Sequence, residues 1–398
     1  MDFLKEAKAL EQELVENRRW LHSHAEVAFD LTETKTYVRA KLEQMGYSPT
    51  DCGKAGLVVT VGGKKPGKTF LLRADMDALP IPEESGEAFA SENGAMHACG
   101  HDLHTAILLG AAKLLKDHEE EIPGTVKLMF QPAEEIFEGA KDMIAHGVLE
   151  NPRPDAALML HVTAAIPMPA GMFIVCAPGV SAPAADYFTI RVQGKGCHGS
   201  APQNGIDALT AASHILIALQ EIHARELAPS EEAVLTVGTF HGGTASNVIA
   251  DSAELGGTIR TYDEKTRSYL KERMTVIAES VAGAYRAEAA VEFGSGCPTL
   301  VNDGDLAKQV RESLAGLLGQ QMVLNASDLG GMRGGGSEDF AYVSQQVPAL
   351  MLALAAGEPA KGYTFPQHHP KVKFDESVLP IGAAAFAHAA VEWLREHK

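Results

Sequence analysis

The sequence predicts an α/β fold in which a larger domain with a mixed sheet is interrupted by a smaller α+β domain. Short runs of apolar residues alternate with helical stretches in the first part of the chain, which is typical of strands buried on both faces of a sheet. From about residue 183 the strands instead alternate between apolar and polar residues, which is typical of half-exposed strands. A length of 398 residues is sufficient for two domains.

Three continuously apolar runs lie at 69–72, 124–130 and 155–160, and each of them leads into polar residues. The carboxyl ends of parallel strands meet at one edge of a sheet, where the sites of such folds lie. We therefore expect the polar side chains that follow the three runs to lie close together. These residues are Asp75, Asp77, Glu134, Glu135 and His161.

The remaining pattern divides the chain into three segments. Helices are predicted at 105–116, 140–146 and 383–396, and two more within residues 2–46. Residues 183–296 follow the order strand, helix, strand, strand, helix, strand, which is that of a ferredoxin-like α+β domain. We predict a catalytic domain at 1–182 and 297–398, interrupted by a lid and dimerisation domain at 183–296.

The composition argues against nucleic acid and membranes as partners. The chain has 34 Lys+Arg against 52 Asp+Glu, a formal net charge of -18, and a surface this acidic repels phosphate backbones and anionic lipids. No apolar run approaches the length of a membrane span, and the N-terminal stretch is a charged amphipathic helix rather than a signal peptide. The five cysteines are widely spread, which does not indicate a disulfide framework, so we expect a cytoplasmic protein.

A stretch with metal-binding character begins at Cys99, where a thiol, an imidazole and a carboxylate precede an apolar helical pattern. The alternative is structural: Cys99 and His101 would pack under the helix, and Asp102 would be its N-cap. Four separated segments together supply one thiolate, three imidazoles and one carboxylate. The candidate metal ligands are Cys99, His101, Glu135, His161 and one of His368 or His369.

The number and type of these donors predict the cofactor. Nitrogen and sulfur donors favour zinc or a similar first-row ion over magnesium or calcium. Five donors are too many for one tetrahedral site with an open position, and they suit two metal ions that share a bridging group and a water. We therefore predict two divalent metal ions (Zn, Mn, Co or Ni), and the spacing of the donors leaves the bridging ligand open.

The adjacent carboxylates Glu134 and Glu135 indicate two different roles. Neighbouring side chains at a strand end point in different directions, so one carboxylate can bind metal while the other faces the attacking water. We assign Glu135 as the ligand and Glu134 as the general base; the alternative is a solvated pair. Asp75 and Asp77 are expected to orient a ligand histidine, and direct metal binding is the alternative for either.

Seven motifs, in this order over nearly the whole chain, resemble those of a known family: RADMDALP, MHACGHDLHTA, QPAEE, LHV, GKGCHGSAP, GTIRTYD and GSEDFA. The family is that of the dinuclear-metal amidohydrolases and peptidases, which includes carboxypeptidase G, aminoacylase-1 and the acetylornithine deacetylases. The CGHD form with cysteine is typical of the branch of hippurate hydrolases, N-acyl-L-amino acid amidohydrolases and auxin-conjugate hydrolases. The resemblance implies a phosphorylase/hydrolase-like catalytic domain.

The resemblance also implies roles for individual residues of the catalytic domain. The positions that match the family's metal ligands are Cys99, His101, Glu135 and His161. The fifth ligand falls on His368, with His369 as the alternative, and Glu134 matches the general base. Two prolines of the family are replaced by Ala25 and Ala250, but no ligand or base is missing, so we expect an active enzyme.

Three residues of the inserted domain match positions that act on the substrate. His198 matches the histidine that stabilises the tetrahedral oxyanion, and in relatives this histidine often reaches the site from the partner subunit of a dimer. Asn247 and Arg260 match residues that contact substrate oxygens. A guanidinium suits a free carboxylate, so Arg260 implies a substrate that has one. The structural alternatives are a turn residue for His198 and a surface ion pair for Arg260.

We therefore expect a metal-dependent amidohydrolase that cleaves N-acyl-L-amino acids to a carboxylic acid and a free amino acid, as a homodimer or higher homo-oligomer. The nearest alternatives apply the same mechanism as a dipeptidase or carboxypeptidase on a short peptide, or as an N-acetyl-diaminopimelate deacetylase. Two other classes are a non-catalytic binding protein with this fold and an enzyme that uses Cys99 with His101 as nucleophile. The intact base and ligands argue against a binding protein. Sensitivity to chelators distinguishes metal catalysis from a cysteine nucleophile.

Overall fold

The computed structural model of the protein describes residues 1–329 and 336–397. These residues form two compact units. The first unit contains 1–181, 301–329 and 338–397, and the second contains 182–300 with 336–337. Residues 330–335 and 398 of the predicted last segment lie outside the described part.

The described chain alternates between helices and strands. In chain order the strands are β1 (Thr50–Cys52), β2 (Gly56–Gly62), β3 (Thr69–Asp75), β4 (Thr125–Gln131), β5 (Ala156–Thr163), β6 (Phe173–Val175), β7 (Gly179–Ala182), β8 (Ala184–Gln193), β9 (Cys197–His198), β10 (Ala233–Gly242), β11 (Val248–Ile249), β12 (Ser252–Thr261), β13 (Glu288–Cys297), β14 (Leu300–Asn302), β15 (Val323–Asn325) and β16 (Ala349–Ala355). The α-helices are α1 (Phe3–Ala9), α2 (Glu11–Ser23), α3 (Thr32–Gln44), α4 (His101–Asp117), α5 (Gly139–Ala145), α6 (Ala208–Ala218), α7 (Glu264–Ala284), α8 (Gly304–Leu318), α9 (Ala341–Ser344) and α10 (Leu379–Glu396).

A mixed eight-stranded sheet forms the centre of the first unit, in the order β1-β2-β4-β3-β5-β16-β6-β15. Strand β3 lies between β4 and β5 and is parallel to both, so that Leu72 pairs with Leu128 on one side and with Leu158 on the other. Strand β2 is antiparallel to β4. The predicted mixed sheet is therefore confirmed, and its three apolar runs are neighbouring parallel strands.

Helices α4 and α10 pack on each other and cover this sheet. Leu108 of α4, Leu394 of α10 and the strand residue Phe70 are all fully buried. The segment Glu376–Glu396 is long and apolar enough to cross a membrane by length and composition alone. However, 78% of its apolar window is buried inside the protein, so its composition is accounted for by its place in the core.

Several helix boundaries differ from the prediction, which also includes one helix over 206–225. The N-terminal residues form three helices rather than two, because the chain leaves the helical conformation at Leu10. Helix α4 starts at His101, earlier than predicted, because Gly100 adopts a left-handed conformation that lets the helix begin directly after it. Helix α6 ends at Ala218, and residues Ile222–Glu226 form a π-helical turn instead of continuing it.

The second unit contains a four-stranded antiparallel sheet in the order β10-β12-β8-β13. Helices α6 and α7 pack on one face of it. Side chains of β8 alternate between the two faces: Phe188 and Ile190 are buried in the core, whereas Tyr187 and Arg191 are exposed. Along the chain these elements follow as β8, α6, β10, β12, α7 and β13.

Two isoleucines on α6 provide a matched test of this packing. Ile215 is fully buried, whereas Ile217 is 63% exposed. We expect Ile215→Ala to lower the free energy of unfolding by about 2–5 kcal/mol, because it leaves a cavity in the core. We expect Ile217→Ala to change it by less than about 0.5 kcal/mol. Urea denaturation measures both changes, and equal losses would contradict the assignment of the buried helix face.

Candidate metal centre

The ends of three parallel strands bring the candidate site together. Asp75 is the last residue of β3 and pairs in register with Gln131, the last residue of β4. His161 lies near the end of β5, on the other side of β3. Strand β5 continues to Thr163, so His161 lies within the strand rather than just after it.

A tight turn after β4 sets the direction of Glu134 and Glu135. Ala133 and Phe137, at the two ends of the turn, have left-handed backbone conformations with φ of 54° and 57°. The backbone N–H of Phe137 donates to the carbonyl oxygen of Glu134 at 2.8 Å. The carboxylate of Asp77 accepts the backbone N–H of Glu134 at 3.0 Å and that of Glu135 at 3.2 Å. Asp77 therefore fixes the backbone that carries both glutamates.

The loop before α4 requires a glycine at position 100. Gly100 has a φ of 90°, and a Cβ there would lie 2.4 Å from Cγ2 of Val162. The following residue, His101, donates Nδ1–H to the carbonyl oxygen of Asp77 at 2.8 Å. In the neutral ring, this bond leaves the lone pair on Nε2, and this buried atom has no hydrogen-bond partner in the described part of the chain.

A second histidine on α4, His104, is fully engaged by the protein. Its Nε2 accepts the backbone N–H of Val162 at 2.8 Å, so its proton lies on Nδ1, which donates to Asp75 at 2.6 Å. Burial lowers the pKa of His104 to about 4, although the charge of Asp75 opposes this. His104 is therefore a neutral link between Asp75 and β5. No role is predicted for His104 from the sequence, although its place one helical turn after His101 is a signal.

His161 and His368 complete the set of donors. His161 donates Nδ1–H to the carbonyl oxygen of Val162 at 2.7 Å, and its Nε2 lies 3.5 Å from Sγ of Cys99. His368 has a left-handed backbone conformation with a φ of 65°. Its Nε2 lies 3.5 Å from Oε1 of Glu135. Both rings therefore present Nε2 to another candidate donor.

The neighbouring His369 is used elsewhere. Its ring stacks on Phe365 with centroids 4.3 Å apart, and its Nδ1 accepts the backbone N–H of Lys371 at 3.0 Å. The geometry therefore brings His368, and not His369, to the other donors.

The five predicted ligands form two groups that share one sulfur. The first group is Cys99, His101 and His161, and the second is Cys99, Glu135 and His368; the donor atoms of each group lie within 4.8 Å of one another. Oε1 of Glu135, like Nε2 of His101, is buried without a hydrogen-bond partner among the described residues. A cation would satisfy both atoms, and the mixture of sulfur, nitrogen and oxygen donors fits a first-row divalent ion.

Burial controls the protonation of these donors. It raises the pKa of the Cys99 thiol to about 12, and the charge of Glu135 adds to this effect. Burial also raises the pKa of Glu135 to about 7, although His101 opposes it. For His101 itself, burial favours the neutral ring, but the charge of Asp75 and the interactions with Asp77 and Cys99 together outweigh burial and raise the pKa well above its usual value. A divalent ion therefore has to displace protons, and its affinity rises with pH.

Buried charges also surround Glu134. Burial and the charge of Glu338 raise the pKa of Glu134 well above its usual range. The counter-charge is the buried guanidinium of Arg73, whose ion-pair partners are Asp75 at 2.6 Å, Glu338 at 2.9 Å and Asp339 at 3.0 Å. Arg73 belongs to the motif RADMDALP, and Glu338 and Asp339 belong to GSEDFA, but the sequence alone predicts no role for these three residues.

A second buried ion cluster lies at the start of α4. Asp102 accepts a hydrogen bond from Nε of Arg18 at 2.8 Å and contacts Nδ1 of His22 at 2.8 Å. Nε2 of His22 lies 3.0 Å from Glu83. The alternative that Asp102 caps α4 is wrong, because Gly100 is the N-cap and the Asp102 carboxylate is occupied by α2. The cluster instead fastens α2 to the start of α4.

The three predicted substrate contacts of the inserted domain lie in the second unit. His198 ends β9, which pairs with β11 directly after Asn247. Nδ1 of His198 accepts the backbone N–H of Ser200 at 3.1 Å, so the proton of the neutral ring lies on Nε2. The guanidinium of Arg260 lies 5.9 Å from the ring centroid of Tyr187. No carboxylate of the described residues is within ion-pair distance of Arg260.

Known proteins resemble this chain over most of its length. The sequence model of peptidase family M20/M25/M40 matches residues 71–392. The chain is 36% identical to the N-acetyl-L-cysteine deacetylase of Bacillus subtilis (strain 168), over 97% of this chain and 89% of the relative. It is 37% identical to an IAA-amino acid hydrolase of Arabidopsis thaliana, over 96% and 85%. The crystal structure of a dinuclear metal binding peptidase from the M20 family of Bacillus subtilis matches with a TM-score of 0.80 and 33% identity, over 98% of this chain and 99% of that one.

Loss of Asp77 tests how the backbone of the site is held. Asp77→Ala removes the acceptor of two amides, those of Glu134 and Glu135, and each donor left unsatisfied costs about 1–3 kcal/mol. The control Asp303→Ala removes an acceptor of the Leu306 amide at the start of α8, which costs about 1 kcal/mol. Urea denaturation in the presence of chelator compares the two. A smaller loss of unfolding free energy for Asp77→Ala than for Asp303→Ala would contradict the proposed backbone clamp.

Proposed function

The chain belongs to peptidase family M20/M25/M40 and is a metal-dependent hydrolase of amide bonds, and we propose that it cleaves N-acyl-L-amino acids to a carboxylic acid and a free amino acid. The observation that carries this proposal is the pair of donor groups around Cys99, with the carboxylate of Glu134 beside them. A relative named for the deacetylation of N-acetyl-L-cysteine supports this class of substrate.

We assign the five donors to two divalent metal ions. One ion would be held by His101 and His161, and the other by Glu135 and His368. The sulfur of Cys99 belongs to both groups and would be available to either ion. When bound, the ions polarise the amide carbonyl and lower the pKa of the attacking water. The donor set suits Zn, Mn, Co or Ni better than magnesium or calcium.

Glu134 is the general base in this proposal. Its Oε2 lies 4.0 Å from Nε2 of His101, so the carboxylate is next to the donors without being enclosed by them. Burial and the charge of Glu338 raise its pKa, which makes it a better proton acceptor. Glu134 takes one proton from the attacking water and delivers it to the leaving nitrogen. The carboxylate is then regenerated, and the amide is replaced by an acid and an amine.

We propose that the second unit is a ferredoxin-like lid that supplies groups to the substrate. The sheet order and its two helices fit that topology. His198 can donate Nε2–H to the oxyanion, because the Ser200 amide holds its Nδ1. Arg260 can bind the free carboxylate of an N-acyl amino acid, because it lacks a carboxylate partner among the described residues of its own chain. Asn247, beside His198, would contact another substrate oxygen.

We further propose a homodimer in the cytoplasm. The family resemblance implies that His198 acts on the site of the partner subunit. Strand β10 is an edge strand of the sheet that the described residues form, and Val234 on it is exposed, which supports an interface there. The five cysteines all lie in the described part of the chain and form no disulfide with one another, which fits a reducing compartment.

A short peptide is the second candidate substrate. A structural relative is named a peptidase, and the same donors and base would serve a peptide bond. The two candidates differ at the acyl side, where a peptide carries a charged amino group and an N-acyl amino acid does not. A panel that contains both kinds of amide therefore separates them.

The general base gives the most direct test. We expect the wild-type enzyme, freed of metal and reloaded with Zn, Mn, Co or Ni, to release free amino acid from N-acetyl and N-benzoyl amino acids faster than from dipeptides. We expect Glu134→Gln to lower kcat by about 100- to 10,000-fold, because proton transfer loses its carrier. The measurement is amino acid release, together with metal content by mass spectrometry.

Glu138→Gln is the matched control, because Glu138 lies on the same loop and pairs with the surface residue Lys141. We expect Glu138→Gln to keep wild-type kcat. Full activity of Glu134→Gln would overturn the assigned base. Faster turnover of dipeptides would favour the peptidase alternative, and activity that persists in chelator would favour a cysteine nucleophile.

The adjacent histidines provide a matched test of the ligand assignment. We expect His368→Ala to lose one of the two ions and most of the activity, because Nε2 of His368 faces Glu135. We expect His369→Ala to keep both ions, because its ring is held by Phe365 and the Lys371 amide. Metal content after dialysis measures the difference. Loss of metal from His369→Ala alone would reverse the assignment.

A further inference from the structure

The buried guanidinium of Arg73 donates four hydrogen bonds, and each of them goes to a side chain of the same chain. Arg73 lies on β3, and its side chain has no exposed surface. The acceptors are Gln131 Oε1 at 2.9 Å, Asp75 Oδ2 at 2.6 Å, Glu338 Oε1 at 2.9 Å and Asp339 Oδ1 at 3.0 Å. They come from the ends of two strands and from a segment 265 residues further along the chain. Arg73 therefore joins three parts of the first unit beside the site.

Asp339 connects this guanidinium to Glu134. Besides Arg73, its carboxylate accepts Nε2 of Gln131 at 2.6 Å and the backbone N–H of Ala140 at 2.9 Å. Its own backbone N–H donates to Oε1 of Glu134 at 3.4 Å. The position of this donor is thus fixed by the bonds on the Asp339 side chain, and the donor in turn acts on one oxygen of Glu134.

Arg73 places a positive charge among three buried carboxylates. Carboxylate oxygens of Glu134, Glu338 and Asp339 lie within 4.8 Å of one another, and all three residues are buried. Buried like charges at this separation repel each other strongly. A single cation among them lets the three carboxylates approach, and the fixed directions of the guanidinium N–H groups determine where they lie.

We propose that Arg73, acting through Asp339 and Glu338, is a positioning residue that sets the place of the Glu134 carboxylate for proton transfer. The inference rests on the proposed role of Glu134 as general base. Arg73 is not a catalytic residue, because its four bonds all go to protein acceptors. A lysine at position 73 would keep one positive charge but would not reproduce the planar set of donors that reaches both β4 and the 338–339 segment.

Lys127 is a buried cation that binds backbone carbonyls instead of carboxylates, and it serves as the control for Arg73. It lies on β4, as does Gln131, and its Nζ donates to the carbonyl oxygens of Val148, Glu150 and Pro152. None of these acceptors belongs to the cluster around Glu134. Loss of Lys127 therefore reports the cost of removing a buried cation from the same sheet without disturbing the proposed base.

The first part of the test compares Arg73→Lys and Lys127→Met as metal-loaded enzymes on an N-acyl amino acid. We expect Arg73→Lys to lower kcat by about 10- to 100-fold, with KM and the content of two ions unchanged, because the base is displaced while the ligands remain. We expect Lys127→Met to lower the midpoint of urea unfolding and to keep kcat. Loss of metal from Arg73→Lys, or an unchanged kcat, would overturn the inference.

The second part is a double-mutant cycle with Glu134→Asp. The shortened carboxylate no longer reaches the position that Asp339 holds, so Arg73→Lys should lower kcat much less in this background than in the wild type. Equal losses in both backgrounds would show a general structural effect and overturn the inference. Asp339→Asn takes the place of Arg73→Lys in a second cycle with Glu134→Asp. This second cycle keeps the inference testable if Arg73→Lys folds poorly.

The cycle also separates this inference from the function on which it rests. A wild-type enzyme that is inactive on every amide of the panel would overturn both. A different result would overturn only the role of Arg73. In that result the wild-type enzyme is active and Glu134→Gln removes the activity, but Arg73→Lys lowers kcat equally in the wild type and in Glu134→Asp.

Discussion

The parallel pairing of β3 with β4 on one side and β5 on the other is the constraint on which the rest of the site depends. Because three neighbouring strands run in the same direction, their carboxyl ends share one edge, where the backbone turns away and side chains become free for chemistry. Asp75 and Gln131 meet there in register, and His161 joins them from β5. The pairing of these apolar strands thus determines where the polar groups at their ends lie.

The site at this edge contains buried charged and polar side chains, and the structure offsets the cost of burying them in two ways. Most charged groups are paired with protein partners, as Arg73 is with Glu338 and Asp339, or Asp102 is with Arg18. Among the described residues, Nε2 of His101 and Oε1 of Glu135 have no hydrogen-bond partner and belong to adjacent donor groups, which is the arrangement that a divalent ion stabilises. The paired groups hold the unpaired ones in place, so the two kinds of polar residue depend on each other.

The chemistry of the candidate site could be predicted because each donor follows a strong local signal. Cys99 and His101 lie at the start of an apolar helical pattern, and Glu134 and Glu135 follow an apolar strand. Two of the supporting residues carried no such signal. Glu338 and Asp339 are far from Arg73 in the chain, and an acidic pair after glycines reads equally well as a solvated loop. The helix that begins at His101 was also placed too late, because the left-handed glycine before it was not recognised.

The sequence by itself determined the class of fold, the kinds of donor and the family, because hydrophobic periodicity and residue chemistry are local properties. Only the tertiary structure decided which of two adjacent histidines joins the other donors. His368 and His369 have the same chemistry and nearly the same place in the chain. The left-handed backbone of His368 sends its ring to Glu135, while stacking on Phe365 holds His369 elsewhere. That choice depends on backbone direction and on distant partners, which the order of residues alone does not specify.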